Sequence, residues 1–322
     1  MKLDELLPTA TLGRTGLQVS RMGIGGGAGL SSPDVEYAVR HGVNFLFWSS
    51  DLHHHTYRRM SAAVRRLCGS RARHRERIIL AAVTYVDHPE KLPGVLLDQL
   101  FELGVDHVDI FMFGWVTSEP GDVFRSAIGQ LRDGAWLERF RDQLGLRRAG
   151  GPQERSDQAM ADAVGVAAGL KDGGYARFVG ASFHDRALAR RWLDSGLLDV
   201  VMLRYNPVHR GLESEPGPLL DRPAEERPGC ILFKTCSGAA AYFDAYRLRD
   251  RPWLPSPADL YRFALRLPYA DVLLTAPRSR GQIDAMVEAF RAGPLPDGPA
   301  AGLEHLGGLI RKVGGLDAGG DT

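Results

Sequence analysis

The sequence predicts an (α/β)8 barrel, also called a TIM barrel, because short apolar strands alternate with helices along most of the chain. Eight runs, among them VNFLFW and RIILAAVT, are mostly bulky and apolar, as strands of a parallel sheet with helices on its outer face are. Most of the segments between them carry apolar residues at helical spacing. With 322 residues, the chain is long enough for one large barrel. We therefore expect a single barrel domain over residues 1–322.

The elements follow in a regular order. A hairpin is expected at Thr9–Ser20, before the barrel. The predicted strands are Arg21–Gly25, Val43–Trp48, Arg77–Thr84, Val108–Phe113, Ala176–Ser182, Val200–Arg204, Cys230–Phe233 and Val272–Thr275. The predicted helices are Asp34–His41, Tyr57–Leu67, Glu90–Leu103, Gln158–Lys171, Arg186–Leu193, Gln282–Arg291 and, more weakly patterned, Gly302–Lys312. Long loops on the active face are expected at about 116–155 and about 237–257, and a frayed Gly-rich tail at about 315–322.

The composition excludes several classes of protein. The chain is 44% hydrophobic and 25% charged, with a formal net charge of +1, as in an ordinary soluble domain. No basic run is interleaved with aromatic residues, so nucleic acid is not an expected partner. No stretch of the sequence approaches 18 uninterrupted apolar residues, so no membrane span is expected. The N-terminus lacks the apolar core of a signal peptide. The three cysteines show neither disulfide nor metal spacing, which favours a cytoplasmic location.

A polar loop after the second strand carries candidate chemistry. Asp51 is followed by His53, His54 and His55, and a helix is expected from about Thr56. Imidazole and carboxylate groups bind divalent transition metals, and neutral histidines also transfer protons near pH 7. If the loop is extended, His53 and His55 share a face, and a metal site needs further ligands from His88, His184 or His209. The alternative interpretation is that these are polar loop histidines with no ligand.

The sequence resembles the aldo/keto reductase superfamily in six segments that occur in the family's order. They are LGRTGLQVSRMGIGG, HGVNF, LGVDHVDIFMFGW, GGYARFVGASFHDRAL, VVMLRYNPVHRG and TAPRSRGQIDAMVEAF. The resemblance implies the barrel and NADPH-dependent reduction of carbonyl groups by an Asp, a Tyr, a Lys and a His. In this mechanism a tyrosine is the proton donor, and the Lys and His tune its acidity.

The four catalytic positions of that family are substituted here. The position of the Asp is Phe47, that of the Tyr is Leu52, that of the Lys is Val83 and that of the His is Gly114. Tyr57 and Tyr85 lie nearby and are candidates for a displaced proton donor, although a phenol with a pKa of about 10 is a weak acid at neutral pH. The resemblance therefore predicts that carbonyl reduction by the usual mechanism does not occur. Asp51, His53, His55 and Tyr57 are the candidate catalytic residues.

The cofactor positions of the family are better matched. Arg278, Ser279 and Gln282 stand where the resemblance implies binding of the 2′-phosphate of NADP(H), at a helix N-terminus that favours an anion. Ser182 matches a position on the nicotinamide side, although Phe183 replaces the Asn expected beside it. Asn206 follows Tyr205 on the sixth strand and is a further cofactor candidate, although Arg204 or Leu203 stands where an amide residue is usual. Lys234 follows the seventh strand and is a candidate for cofactor phosphate, or for a Schiff base. Arg278 has the alternative interpretation of a solvated or helix-capping arginine.

Aromatic residues are expected around a small-molecule substrate. Trp48, Trp115, His184 and Tyr205 are the candidate pocket residues, and ordinary barrel packing is the alternative.

Three hypotheses for the function remain open. The first is an atypical NADP(H)-dependent oxidoreductase acting on an apolar small molecule. The second is a redox-neutral lyase, dehydratase, isomerase or cyclase that uses the loop histidines as acid and base or as ligands of a divalent metal. The third is a catalytically inactive protein that binds nucleotide or a protein partner.

Overall fold

The computed structural model describes residues 7–49, 54–69, 72, 75–85, 91–116, 162, 165–166, 168–214, 216–236, 239 and 254–314. Within these ranges, the side chains of residues 54, 55, 115, 116 and 314 are not described. Except for residue 116, the predicted insertion at about 116–155 lies outside the described residues, as do the tail and most of the loop at 237–257.

Eight parallel strands close into a barrel, which confirms the predicted fold. Around the barrel, each strand pairs with its neighbours in chain order, and the last strand pairs with the first. The barrel strands are β3 (Met22–Gly25), β4 (Phe45–Ser49), β5 (Ile79–Thr84), β6 (Val108–Val116), β7 (Ala176–Phe183), β8 (Val200–Arg204), β9 (Gly229–Phe233) and β10 (Val272–Thr275).

Helices surround the strands, and they pack their buried faces against the barrel. The described helices are α1 (Ser32–Arg40), α2 (His54–Cys68), α3 (Leu92–Leu103), α4 (Arg186–Asp194), α5 (Gly217–Leu220), α6 (Pro257–Ala264), α7 (Arg280–Arg291) and α8 (Asp297–Gly314). Residues 168–172 are also helical and belong to the predicted helix Gln158–Lys171. None of the helices in the described ranges is long and apolar enough to cross a bilayer.

The N-terminal hairpin packs against the amino-terminal end of the barrel. Its strands β1 (Thr9–Thr11) and β2 (Gln18–Ser20) are antiparallel, as the sequence predicts. The turn between them rests on the start of β9, because a Cβ built on Gly13 would lie 2.2 Å from the backbone nitrogen of Gly229. Gly13 also has a φ of 47°, so both the space and the backbone conformation there require glycine.

Buried ion pairs tie the strands together at the same end. Asp271 accepts two hydrogen bonds of 2.7 Å from Arg227, and both side chains are nearly inaccessible to solvent. Asp109, at the start of β6, accepts from Arg75 and Arg177 at 2.9 Å each. Removing one partner of the buried Arg227–Asp271 pair would cost about 3–5 kcal/mol. Arg177 is half exposed, so solvent screens its pair with Asp109.

Some element boundaries differ from the prediction. Helix α2 begins at His54, so His54, His55 and Thr56 are helical, and Thr56 is not the N-cap residue. The expectation of an extended backbone through His55 was therefore wrong. Helix α6 was missed, although Ser256 and Asp259 form a capping box at its start that the sequence displays as Ser-Pro-Ala-Asp.

Candidate functional site

The carboxyl ends of the eight strands form one mouth of the barrel. Parallel strands bring their carboxyl ends to the same face, where α/β barrels carry their binding and catalytic residues. The strands β4, β5 and β6 form one side of this mouth, and β8, β9 and β10 lie across the barrel from them. These two sides differ in chemistry.

The side formed by β4 to β6 is apolar at the positions of the family's catalytic residues. Phe47 is 2% exposed and Val83 is 0% exposed, and neither can exchange a proton. The Phe47 ring packs near that of Tyr57, with 6.3 Å between their centroids. Leu52 lies outside the described residues. The three described positions therefore lack the polar groups of the usual mechanism.

The Tyr85 ring occupies the space that a side chain at position 114 would fill. A Cβ built on Gly114 would lie 2.6 Å from both Cδ1 and Cε1 of the Tyr85 ring, and 2.9 Å from the carbonyl oxygen of Thr84. Real Cβ atoms do not approach other carbon atoms this closely, so a side chain at 114 and the present position of Tyr85 exclude each other. Tyr85 is partly buried at the end of β5. The absence of a side chain at position 114 and the position of the Tyr85 ring are thus linked.

Tyr57, the second tyrosine of this side, is buried on α2. A Cβ at Gly26 would lie 2.6 Å from its Cδ1 atom, so the ring packs closely over the glycines that follow β3. Its location near the carboxyl ends of β3 and β4 agrees with the predicted region, but its exposure is only 5%. Its catalytic role stays a prediction.

Most of the predicted histidine loop lies outside the described residues. Asp51 and His53 lie outside the described residues, as do the side chains of His54 and His55 and all of His88. His209 is buried, and the edge-to-face contact of His184 with Phe233 places their ring centroids 5.0 Å apart. Among the described side chains, no group of three His, Cys, Asp or Glu residues could hold a metal ion.

Two of the predicted pocket aromatics serve the packing between barrel and helices. Trp48 is fully buried, and its indole nitrogen donates to Ser61 of α2 at 3.1 Å. The Tyr205 hydroxyl donates to Glu213 at 2.6 Å, and its ring stacks on Phe263 of α6 with 5.8 Å between centroids. Burial, followed by this hydrogen bond, raises the pKa of Tyr205 above its ordinary value. These contacts place both rings against helices, and Tyr205 also borders a cavity of about 450 Å³ with Phe263. The predicted role of the two aromatics in a substrate pocket stays a prediction. The side chain of Trp115 is not described.

The opposite side of the mouth, at the ends of β8 and β9, is polar and cationic. Lys234 follows β9 and has a φ of 57°, which makes it the one non-glycine residue with positive φ among those the structure describes. A left-handed backbone costs an ordinary residue about 1–2 kcal/mol. Burial around its ammonium lowers the pKa of Lys234 from its ordinary value, and the charge of Arg204 lowers it further. Because Lys234 as a whole is exposed, solvent screens the repulsion between its ammonium and Arg204.

Asn206 holds this strained backbone in place. Its Nδ2 donates to the carbonyl oxygen of Lys234 at 3.1 Å, and its Oδ1 accepts from the backbone nitrogens of Val208 and His209 at 3.0 Å each. Asn206 is fully buried, and these bonds leave at most one amide hydrogen for another partner. It therefore positions Lys234, and its predicted contact with a cofactor stays untested.

A buried hydroxyl lies next to Lys234. Thr235 is 1% exposed, and its Oγ1 has no hydrogen-bond partner among the described residues. A buried polar atom without a partner is uncommon, and one explanation is a partner that binds from solution. Sequence reasoning missed this threonine, because Thr in LFKTCS carries no motif of its own. Ser182, at the end of β7, is also buried.

The start of helix α7 forms the third polar part of this side. Ser279 is its N-cap, and its Oγ accepts from the backbone nitrogen of Gln282 at 3.4 Å. The Gln282 side chain accepts from the backbone nitrogen of Arg278 at 2.8 Å, so Gln282 closes the cap. The guanidinium of Arg278 is exposed and carries no ion pair among the described residues, whereas Arg280 is paired with Asp34 at 2.9 Å. Arg278 and Ser279 thus remain the available anion-binding groups at this helix start.

Comparison with known proteins identifies the fold. No family model matches the chain, and no curated protein matches it by sequence. Among solved structures, the aldo-keto reductase AKR11C1 from Bacillus halodurans in its holo form is similar, with a TM-score of 0.66 at 16% identity over 93% of this chain and 96% of that chain.

Two further structures agree with this comparison. An aldo-keto reductase from Klebsiella pneumoniae in complex with NADPH has a TM-score of 0.62 at 15% identity, covering 93% of this chain and 95% of that chain. The thermostable aldo-keto reductase Tm1743 in complex with the inhibitor epalrestat has a TM-score of 0.59 at 15% identity, covering 93% of this chain and all of its own. The chain therefore has the fold of the aldo-keto reductases over nearly its whole length.

Proposed function

We propose that this protein is an NADP(H)-dependent oxidoreductase that acts on a small apolar molecule without the Asp, Tyr, Lys and His of its fold relatives. The observation that carries the proposal is Lys234, which is kept in a left-handed backbone by Asn206 at the barrel mouth. Strain of this kind persists where a function selects it, because glycine would occupy the position at lower cost. The fold supports an oxidoreductase, and one structure of this fold contains NADPH.

The residues on this side of the mouth fit the phosphate groups of such a cofactor. Lys234 supplies an ammonium, and the neighbouring Thr235 hydroxyl is buried without a partner among the described residues. Arg278 and the cap of α7 supply a guanidinium and a helix N-terminus. When bound, NADP(H) supplies or accepts a hydride. The residues of this side would bind and orient it, and they need no catalytic group for that task.

The other side of the mouth would determine the substrate and the proton transfer. Phe47 and Val83 present apolar surface where the usual mechanism has charged groups, which favours an apolar substrate. Of the two nearby tyrosines, Tyr85 is the more accessible, and we assign the proton to its hydroxyl oxygen. Because no lysine or histidine stands at the positions that would acidify it, we expect turnover to be slow.

Single-turnover oxidation of NADPH in the presence of apolar aldehydes and ketones tests this proposal. We expect a measurable rate with the unmodified protein and a rate at least tenfold lower with Tyr85→Phe, which removes the hydroxyl and keeps the ring. Tyr175→Phe, at an exposed tyrosine just before β7 at the amino-terminal end of the barrel, is the matched control and should retain the rate. Equal rates for Tyr85→Phe and the unmodified protein would exclude Tyr85 as the donor, and absence of NADPH binding would exclude the function.

A further inference from the structure

A surface cavity lies at the opposite end of the barrel from the mouth. It has a volume of about 550 Å³ and is formed by the ends of α1 and α2 and by the residues that lead into β4 and β5. Its size is within the range of about 300–1,000 Å³ that small-molecule sites occupy. It shares no residue with the proposed cofactor site, so it is independent of the function proposed above.

The floor of this cavity is apolar. Val43 and Ile78 are buried, and the partly buried side chains of Val39 and Leu67 pack against the core beside them. Asn44 also borders the cavity, but its amide is engaged by the hairpin: it accepts from the Ser20 nitrogen at 2.6 Å and donates to the Gln18 carbonyl at 2.9 Å. The floor therefore offers a hydrophobic surface with no free polar group of its own.

The rim is cationic. Arg40, Arg66 and Arg77 border the cavity together with a single carboxylate, that of Glu36. Glu36 is paired with Arg66. Arg40 and Arg77 are exposed, and neither has an ion pair or a side-chain hydrogen bond with any residue that the structure describes. The cavity thus carries two guanidinium charges that no described residue neutralises.

A second surface cavity shows that this excess charge is not a general property of the molecule. That cavity, of about 450 Å³ near α6 and α8, is also bordered by arginines. There, Arg210 is paired with Glu213 and lies 3.5 Å from Glu304, and Arg266 is paired with Asp297 at 2.9 Å. Described carboxylates neutralise the arginines of that cavity, whereas none of them pairs with Arg40 or Arg77.

We propose that the cavity between α1 and α2 binds a small amphipathic anion, with an apolar body on the floor and a carboxylate or phosphate head held by Arg40 and Arg77. Charge complementarity selects the head group, and the guanidinium forks match the planar carboxylate and the phosphate. The apolar floor selects the body. The carbonyl ends of α1 and α2 oppose an anion, which explains why one arginine would not be sufficient.

Isothermal titration with sodium decanoate tests the proposal, and decan-1-ol serves as the neutral probe of the same length. We expect saturable binding of decanoate by the unmodified protein, at least tenfold weaker binding by Arg40→Gln/Arg77→Gln, and at least tenfold weaker binding of decan-1-ol. Leu67→Asp places a carboxylate at the floor and should abolish binding. Arg222→Gln, an exposed arginine remote from the cavity lining, is the control and should bind normally.

Three results would overturn the proposal. The first is equal affinity of the double variant and the unmodified protein for decanoate. The second is the absence of saturable decanoate binding. The third is loss of decanoate binding in Lys234→Met with full binding by Arg40→Gln/Arg77→Gln, because it would place the anion in the mouth of the barrel. Since the substituted arginines are exposed, we expect the arginine variants to fold. Leu67 packs against the core, so loss of binding in Leu67→Asp counts only if its circular dichroism spectrum matches that of the unmodified protein.

Discussion

The two sides of the barrel mouth differ in chemistry. Around β4 to β6, the resemblance to aldo/keto reductases implies acid and base groups, but the residues are Phe47, Val83 and Gly114, and a tyrosine ring fills the space above the glycine. Around β8, β9 and the start of α7, the mouth carries cations and a strained backbone. One side therefore resembles a hydrophobic core and the other a binding site.

Such a difference is expected where a protein binds a cofactor without the usual catalytic groups. Charged groups at the end of a strand are costly to bury unless they are paired, so without a chemical role an apolar residue is the more stable choice. Apolar residues on the β4–β6 side stabilise the protein. The strained backbone at Lys234 instead lowers stability, and it does not improve packing. We infer that the β8–β9 side still serves a ligand, and the following predictions test each side separately.

The largest effect is expected for Gly114→His on the apolar side. The new side chain overlaps the Tyr85 ring and the Thr84 carbonyl oxygen, so unfolding should become easier by about 1–3 kcal/mol, as for other overpacked positions. Urea denaturation measures the change. Gly94→His is the control, because nothing lies within 4 Å of a Cβ at Gly94, and it should change stability by less than about 0.5 kcal/mol.

A double variant distinguishes this clash from other effects of the histidine. Tyr85→Ala removes the ring, so Gly114→His should cost less in its presence than in the unmodified protein. If the cost of Gly114→His were the same with and without the ring, the two positions would not be coupled, and the account of the apolar side would be wrong.

The next effect concerns the charge of Lys234. Lys234→Met keeps the length of the side chain and removes the ammonium, and a charge-assisted hydrogen bond is worth about 1.5–3 kcal/mol. NADPH affinity should therefore fall by about tenfold to a hundredfold. Lys171→Met, in which an exposed lysine away from the mouth is replaced, should bind NADPH normally. Equal affinities of the two variants would remove Lys234 from the cofactor site.

Arg278→Gln is expected to have a smaller and more selective effect. Arg278 is exposed, so solvent screens its contribution, and we expect NADPH affinity to fall by about tenfold. NADH lacks the 2′-phosphate, and its affinity should not change. A parallel loss for both nucleotides would assign Arg278 to another part of the cofactor.

The smallest effect is a gain of stability. Lys234→Gly relieves the left-handed backbone and should raise the free energy of unfolding by about 1 kcal/mol, while NADPH affinity falls. Lys234→Ala retains a Cβ in the same backbone conformation, so it should lose affinity without gaining stability. A glycine variant no more stable than the alanine variant would show that residue 234 is not strained.

Much of the fold could be predicted from the sequence, because the strands are almost uninterrupted apolar runs. Strand β4 and the hairpin fall where the pattern places them. The starts of helices were harder, because they depend on single capping residues: α2 begins at His54 rather than Thr56, and the capping box of Ser256 was overlooked.

The site was less predictable than the fold. Motif comparison found Lys234 and Arg278, but a side chain's direction depends on its neighbours in space. Trp48 donates to Ser61 on a helix, and Tyr205 to Glu213, and neither partner is evident from residue spacing. The left-handed backbone at Lys234 is equally hidden, since lysine gives no local signal for positive φ.

Isothermal titration of the unmodified protein with NADPH tests the central claim most directly. If the β8–β9 side of the mouth retains a cofactor site, NADPH should bind with a dissociation constant on the order of micromolar, and more tightly than NADH. If NADPH shows no saturable binding, the cations of this side serve another purpose, and the proposed oxidoreductase function is contradicted.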